Sequence, residues 1–157
     1  MKINEHIIIN APPGFIFSAL FNPILKRLWN RRFVDSTFEY SNLMKSESAS
    51  LRFTETYKDG NSYEKYQAEV VHVFKAEYFS YKYHRNDFDV IVEYSLMNRK
   101  NYTELKRATE IIYKSWFSKL MAKVNTRANN FEELNNLKNY VENRLLFFCL
   151  NITACAY

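Results

Sequence analysis

One stretch near the end of the chain limits the possible folds more than any other. From about Ile111 to Glu142 there is no Pro and no Gly, and the apolar residues keep a helical period. Ile112, Trp116, Leu120 and Val124, with Phe117 and Met121 beside them, are followed by Phe131, Leu134, Leu137 and Val141. Steps of three and four place these on one stripe, and Lys114, Lys119, Lys123, Glu132, Glu133 and Lys138 lie mostly off it. A helix of ~30 residues would be about 45 Å long. Its stripe needs a large partner, and the chain before it reads as a sheet.

The chain opens on a short β-branched run, Ile7-Ile8-Ile9, predicted as a strand over Lys2 to Asn10. Pro12 and Pro13 end it and suit the first turn of a helix, with Asn10 as the expected N-cap. Phe15, Ile16, Ala19 and Leu20 have helical spacing. Asn22-Pro23 restarts the pattern, and Leu25, Leu28 and Trp29 predict a second short helix carrying Lys26, Arg27, Arg31 and Arg32. Strand-like alternation follows over Phe33 to Tyr40, Ser50 to Tyr57, Tyr63 to Phe74, Tyr78 to His84, Phe88 to Met97 and Thr103 to Thr109. Asp59-Gly60 is a strong hairpin signal between the second and third of these. Sequential hairpins predict an antiparallel sheet with one covered face, and the long helix is its natural cover.

At 157 residues the chain is expected to be one domain. Residues 1–144 form that domain, and Leu145 to Tyr157 is an apolar tail too short to span a bilayer. The tail reads as a packed last turn, as a disordered terminus, or as a contact for a second copy, a partner or a membrane surface. Thirteen Phe and twelve Tyr suit wide strands and a core. The net charge of +5 is scattered, which argues against a nucleic-acid partner. Cys149 and Cys155 make neither a disulfide framework nor a metal site. Met1 to Glu5 lacks a signal-peptide layout, so the expected compartment is the cytoplasm.

The order strand, two short helices, antiparallel meander and long C-terminal helix resembles the START/Bet v 1-like (SRPBCC) superfamily, which includes polyketide cyclase-like and Aha1-type domains. The motif-like part is Ile7-Ile8-Ile9-Asn10-Ala11-Pro12-Pro13-Gly14-Phe15-Ile16-Phe17-Ser18-Ala19-Leu20, then Asn22-Pro23 and Leu28-Trp29, and it is most similar to a small bacterial subfamily. The resemblance spans roughly residues 2 to 142. Gly14 and Gly60 are the only glycines, where family loops are often Gly-rich. It implies an α+β helix-grip fold: a curved antiparallel sheet of about seven strands wrapped on the C-terminal helix, with two short helices between strands 1 and 2.

Such a fold encloses a cavity, and strand phase selects its lining. Glu55 shares a phase with Leu51 and Phe53, and Arg107 with Leu105. Tyr66 and His72 share one with Val70 and Phe74. Tyr81 and Tyr83 go with Phe79, Val92 and Tyr94 with Val90 and Leu96, and the helix adds Trp116 and Leu120. Two readings of Glu55 and Arg107 stay open. They orient a ligand's polar end, or they pair for structure and reach water at strand ends. His72 is either a general acid or base, or a core histidine satisfied by a nearby hydroxyl.

The expected function is binding of a small hydrophobic or amphipathic ligand between sheet and helix. The alternatives are a cyclase/aromatase-like enzyme, which needs an acid/base pair on the cavity wall, and an Aha1-like interaction domain with a filled core. No catalytic motif is present, and no metal or cofactor is expected. The expected partners are a small apolar molecule and, through the tail, a second copy or another protein.

Overall fold

The computed structural model describes residues 1–39, 51–74, 76–85, 87–115 and 129–154, with side chains of the last segment described over 132–146. Its elements are β1 (Lys2–Ile9), α1 (Pro13–Phe21), α2 (Pro23–Trp29), β2 (Phe33–Glu39), β3 (Arg52–Asp59), β4 (Ser62–Phe74), β5 (Tyr78–His84), β6 (Phe88–Asn98), β7 (Thr103–Tyr113) and α3 (Asn129–Ala154). The strands form one antiparallel sheet in the order β1-β7-β6-β5-β4-β3-β2. The first strand therefore leaves by way of α1 and α2, and β7 returns to pair with it. This is the α+β helix-grip arrangement.

Local chemistry accounts for the joints. Gly60 takes the left-handed backbone (φ +59°) in the β3–β4 turn, where other side chains are strained. Asn22 caps α2, its side-chain oxygen accepting from the Ile24 N–H at 2.9 Å. The cap expected of Asn10 is not made. Pro12 stands at the N-cap of α1 without a side-chain bond, and the Asn10 N–H donates instead to Glu142 of α3 at 2.8 Å.

The start of the long C-terminal helix is a second correction. Ile111, Ile112 and Tyr113 belong to β7, paired with Val90, Asp89 and Phe88. β-Branched residues at a free ladder position continue the strand, which helical spacing alone does not reveal. The next part of the predicted helix, residues 116–128 with the lining candidates Trp116 and Leu120, lies outside the described residues. The second half is helical from Asn129 and packs across β1, α1 and α2.

That packing fills one half of the sheet. Leu134, Leu137 and Val141 of α3 are buried against Ile7 and Ile9 of β1, Leu105 of β7, Leu96 of β6 and Ile16, Ala19 and Leu20 of α1. Trp29 donates its indole N–H to the Ala19 carbonyl at 2.8 Å, locking α2 to α1. Thr103 Oγ1 donates to the Ala11 carbonyl at 2.6 Å and ties β7 to the β1–α1 corner. Among the described residues, the helices leave the other half of the same face uncovered.

Candidate ligand cavity

The opening is a cavity of about 600 Å³. Arg107 marks the boundary on β7: Leu105 before it is core, while Thr109 and Ile111 after it line the cavity. On β6 the same change falls at Tyr94, with Leu96 in the core and Val92 and Val90 on the wall. Tyr81 and Tyr83 of β5, Tyr57 of β3 and Tyr66 of β4 continue the wall, and Lys26, Asn30, Glu133 and Asn136 form its helical side.

Register explains the convergence. Directly opposed residues of an antiparallel pair share a face. Glu5 opposes Arg107, Arg107 opposes Tyr94, Val92 opposes Tyr81, Val90 opposes Tyr83 and Glu55 opposes Tyr66. Of the candidates picked by phase, Tyr66, Tyr81, Tyr83, Val92, Tyr94 and Arg107 line the cavity. Glu55 sits directly behind it, bonded to three lining residues. His72 does not join them. A register shift between Val70 and His72 pairs His72 with Ser80, out of phase with Phe79 and Tyr81, and leaves it exposed. One extra residue in a β-bulge turns the following side chains to the other face.

Two buried charge clusters close the inner end. Glu55 is 6 % exposed, and its Oε1 accepts from Lys26 Nζ at 2.7 Å. Its Oε2 accepts from the hydroxyls of Tyr57 and Tyr83, each at 2.7 Å. The Lys26 ammonium also lies 4.9 Å from the Phe33 ring centre and 5.6 Å from that of Tyr57, so aromatic faces replace part of its hydration. In the second cluster Arg107, 5 % exposed, donates Nε to Glu5 and Nη1 to Glu133, both at 2.7 Å. Asn30 Nδ2 donates to the other Glu133 oxygen at 2.6 Å, while Asn30 Oδ1 accepts from the N–H groups of Arg32 and Phe33. Each cluster joins a helix to the sheet.

Burial sets the ionisation of the phenols. Tyr57 is pushed well above its usual range by burial and then by the Glu55 carboxylate. Tyr81 is raised by burial and neighbouring phenols, and Tyr83 by burial, Tyr57 and Glu55. These hydroxyls stay protonated near neutrality. Burial opposes the Arg107 charge, but Tyr94, Glu133 and Glu5 outweigh it and raise its pKa. At the mouth, Arg85 lies over the Tyr66 ring at 4.4 Å and pairs with Glu64, which Tyr66 also bonds.

Lys26 is the functional residue that sequence reasoning missed. From the sequence, Lys26 is only one of the charges carried by the second short helix, and Leu28 is one of the apolar residues that predict it. The helix is turned so that Lys26 and Trp29, three apart, are buried, while Leu28 is 55 % exposed. The usable signal was that spacing from Trp29. Among the described residues no three His, Cys, Asp or Glu side chains converge as metal ligands would.

Solved structures support the fold. The Zhui aromatase/cyclase from Streptomyces sp. R1128 is similar with a TM-score of 0.71 and 8% identity, covering 92% of this chain and 95% of that one. Protein NE0264 from Nitrosomonas europaea gives 0.69 and 9%, covering 93% and 97%. Ara h 8.0201 gives 0.65 and 11%, covering 90% and 97%. No protein-family model matches the chain, and no curated protein sequence matches it. The chain has the START/Bet v 1-like helix-grip fold, and identities this low carry the fold alone.

Proposed function

We propose that this chain binds a small hydrophobic or amphipathic molecule in the cavity between the sheet and α3. The observation that carries this reading is the cavity itself, about 600 Å³ in volume, whose wall sets six tyrosines, Phe88, Val90, Val92 and Ile111 beside charged and amide side chains. That volume falls in the usual range for small-molecule sites, ~300–1,000 Å³. Its buried cations, Lys26 and Arg107, are each paired with a carboxylate, as burial of a charge requires, while Arg31, Arg32, Asp59, Arg85 and Glu132 of its lining are more exposed. An interaction domain of the Aha1 kind with a filled core would have no such space.

A cyclase/aromatase-like activity is the second reading. It is favoured by the cluster of Lys26, Glu55, Tyr57 and Tyr83 beside the cavity, since an ammonium, a carboxylate and two phenols can relay protons to a bound substrate. Their raised pKa values keep Tyr57 and Tyr83 protonated near neutrality, and the proton of each is directed to Glu55.

Native mass spectrometry of the purified protein tests the first reading. The expected result is an adduct of a few hundred daltons that is lost on organic extraction, or, for protein purified empty, uptake of a neutral apolar dye such as Nile red. A bare mass together with no dye uptake would overturn it.

A further inference from the structure

We infer that the inner end of the cavity receives the ligand's polar group as a hydrogen-bond donor, a hydroxyl or a protonated amine, and disfavours acids. This deepens the ligand-binding reading and rests on it.

The direction of the hydrogen bonds carries the inference. A carboxylate only accepts, and a phenol has one proton to give. Tyr57 and Tyr83 each direct that proton to Glu55 Oε2 at 2.7 Å. What each phenol can still offer the cavity is an oxygen lone pair. The Tyr81 ring packs against those of Tyr83 and Tyr94, with ring centres 5.1 and 6.3 Å away. The protons of Tyr57 and Tyr83 therefore point toward Glu55, and their lone pairs are left for the ligand.

Charge acts in the same sense. At this end the described residues place three carboxylates (Glu5, Glu55 and Glu133) around two cations, Lys26 and Arg107, each held by a carboxylate at 2.7 Å. A ligand carboxylate brought here would lose its water and meet oxygen acceptors and further negative charge. A hydroxyl or an ammonium would find acceptors ready to replace its water.

The test uses ligands that differ only in the head group. Dodecan-1-ol, dodecylamine and laurate, all below their micellar concentrations at neutral pH, compete with Nile red bound to the full chain. The alcohol and the amine are expected to displace the dye at concentrations at least ~10-fold lower than laurate, a difference of about 1.4 kcal/mol. Laurate binding equally well or better would overturn the inference. Tyr83→Phe supplies a second reading, since it removes one acceptor and leaves the Lys26–Glu55 pair in place. With the variant's fold verified by circular dichroism, its preference for alcohol over laurate should shrink several-fold. An equal loss for all three ligands would make Tyr83 merely structural and overturn the assignment of direction. Wild-type protein that shows a bare mass and takes up no dye would instead sink the ligand-binding reading itself, whereas dye uptake with laurate preferred sinks only this inference.

Discussion

At the scale of single residues, the decisive feature is that every buried charge named above has an opposite charge within hydrogen-bond distance. Such pairs contribute little net stability compared with apolar packing, but losing one partner strands the other. Lys26→Met leaves Glu55 as a buried carboxylate without its cation and is expected to cost about 3–5 kcal/mol in urea denaturation. Adding Glu55→Gln removes the stranded charge while still accepting from Tyr57 and Tyr83, so the double variant should recover much of that loss. Additive losses would contradict the pairing. Asp89 presents the same pairing on the sheet face opposite the cavity-lining Phe88 and Val90, where Lys82, then Lys114 and His84, hold its pKa at about 2 against an ordinary 3.8. A depressed carboxylate stabilises the fold above its unfolded pKa, and this contribution fades as pH falls from about 3.8 to about 2. Acid titration of Asp89→Asn should therefore lack a step in stability that the wild type shows in that window.

At the scale of elements, α2 and α3 obey different rules. On α3 the period of the apolar stripe is the period of burial: Leu134, Leu137 and Val141 are essentially inaccessible. Leu137→Ala is expected to cost about 2–5 kcal/mol, because a cavity opens against β1 and α1. On α2 the apolar residues mislead. Leu28→Ala should change thermal stability by no more than about 0.5 kcal/mol, since its side chain faces solvent. The last part of α3 runs on through Ala154, beyond the 1–144 unit that we take to be the folding domain. Deleting residues 145–157 removes none of the fully buried side chains of α3 described above, and the shortened chain is expected to fold and keep its dye binding. Light scattering before and after deletion would show whether the apolar tail mediates self-association. Loss of folding would redraw the domain boundary.

At the scale of the whole molecule, helices cover one half of the sheet face and a cavity occupies the other. The seam between them carries the charges that bind helix to strand. A ligand filling the cavity would touch β5, β6 and β7 at once, so binding should stabilise the entire fold. At a ligand concentration one hundred times Kd the gain is about 2.7 kcal/mol. Val92→Trp places a large ring in the cavity; it should abolish Nile red uptake while costing about 1–3 kcal/mol from overpacking. Retained uptake with native affinity would place the dye elsewhere.

The sequence by itself determined the order of elements, the Asp59-Gly60 hairpin, the helical stripe from Leu134 to Val141 and most of the inward-facing strand residues. Those features are written in local periods and turn chemistry, which act between near neighbours. It did not determine where β7 ends, which way α2 faces or how β4 changes phase, because each is settled by what a distant segment offers. Ile111 is drawn into the ladder by Val90, Lys26 is turned inward by Glu55, and His72 is turned aside by a bulge against β5. Only the tertiary structure supplied the charge partners. Glu5, Lys26, Asn30 and Glu133 are polar residues whose spacing, such as that of Lys26 from Trp29, does not by itself tell a buried charge from a solvated one, and burial became affordable only once the fold brought each to its counter-group.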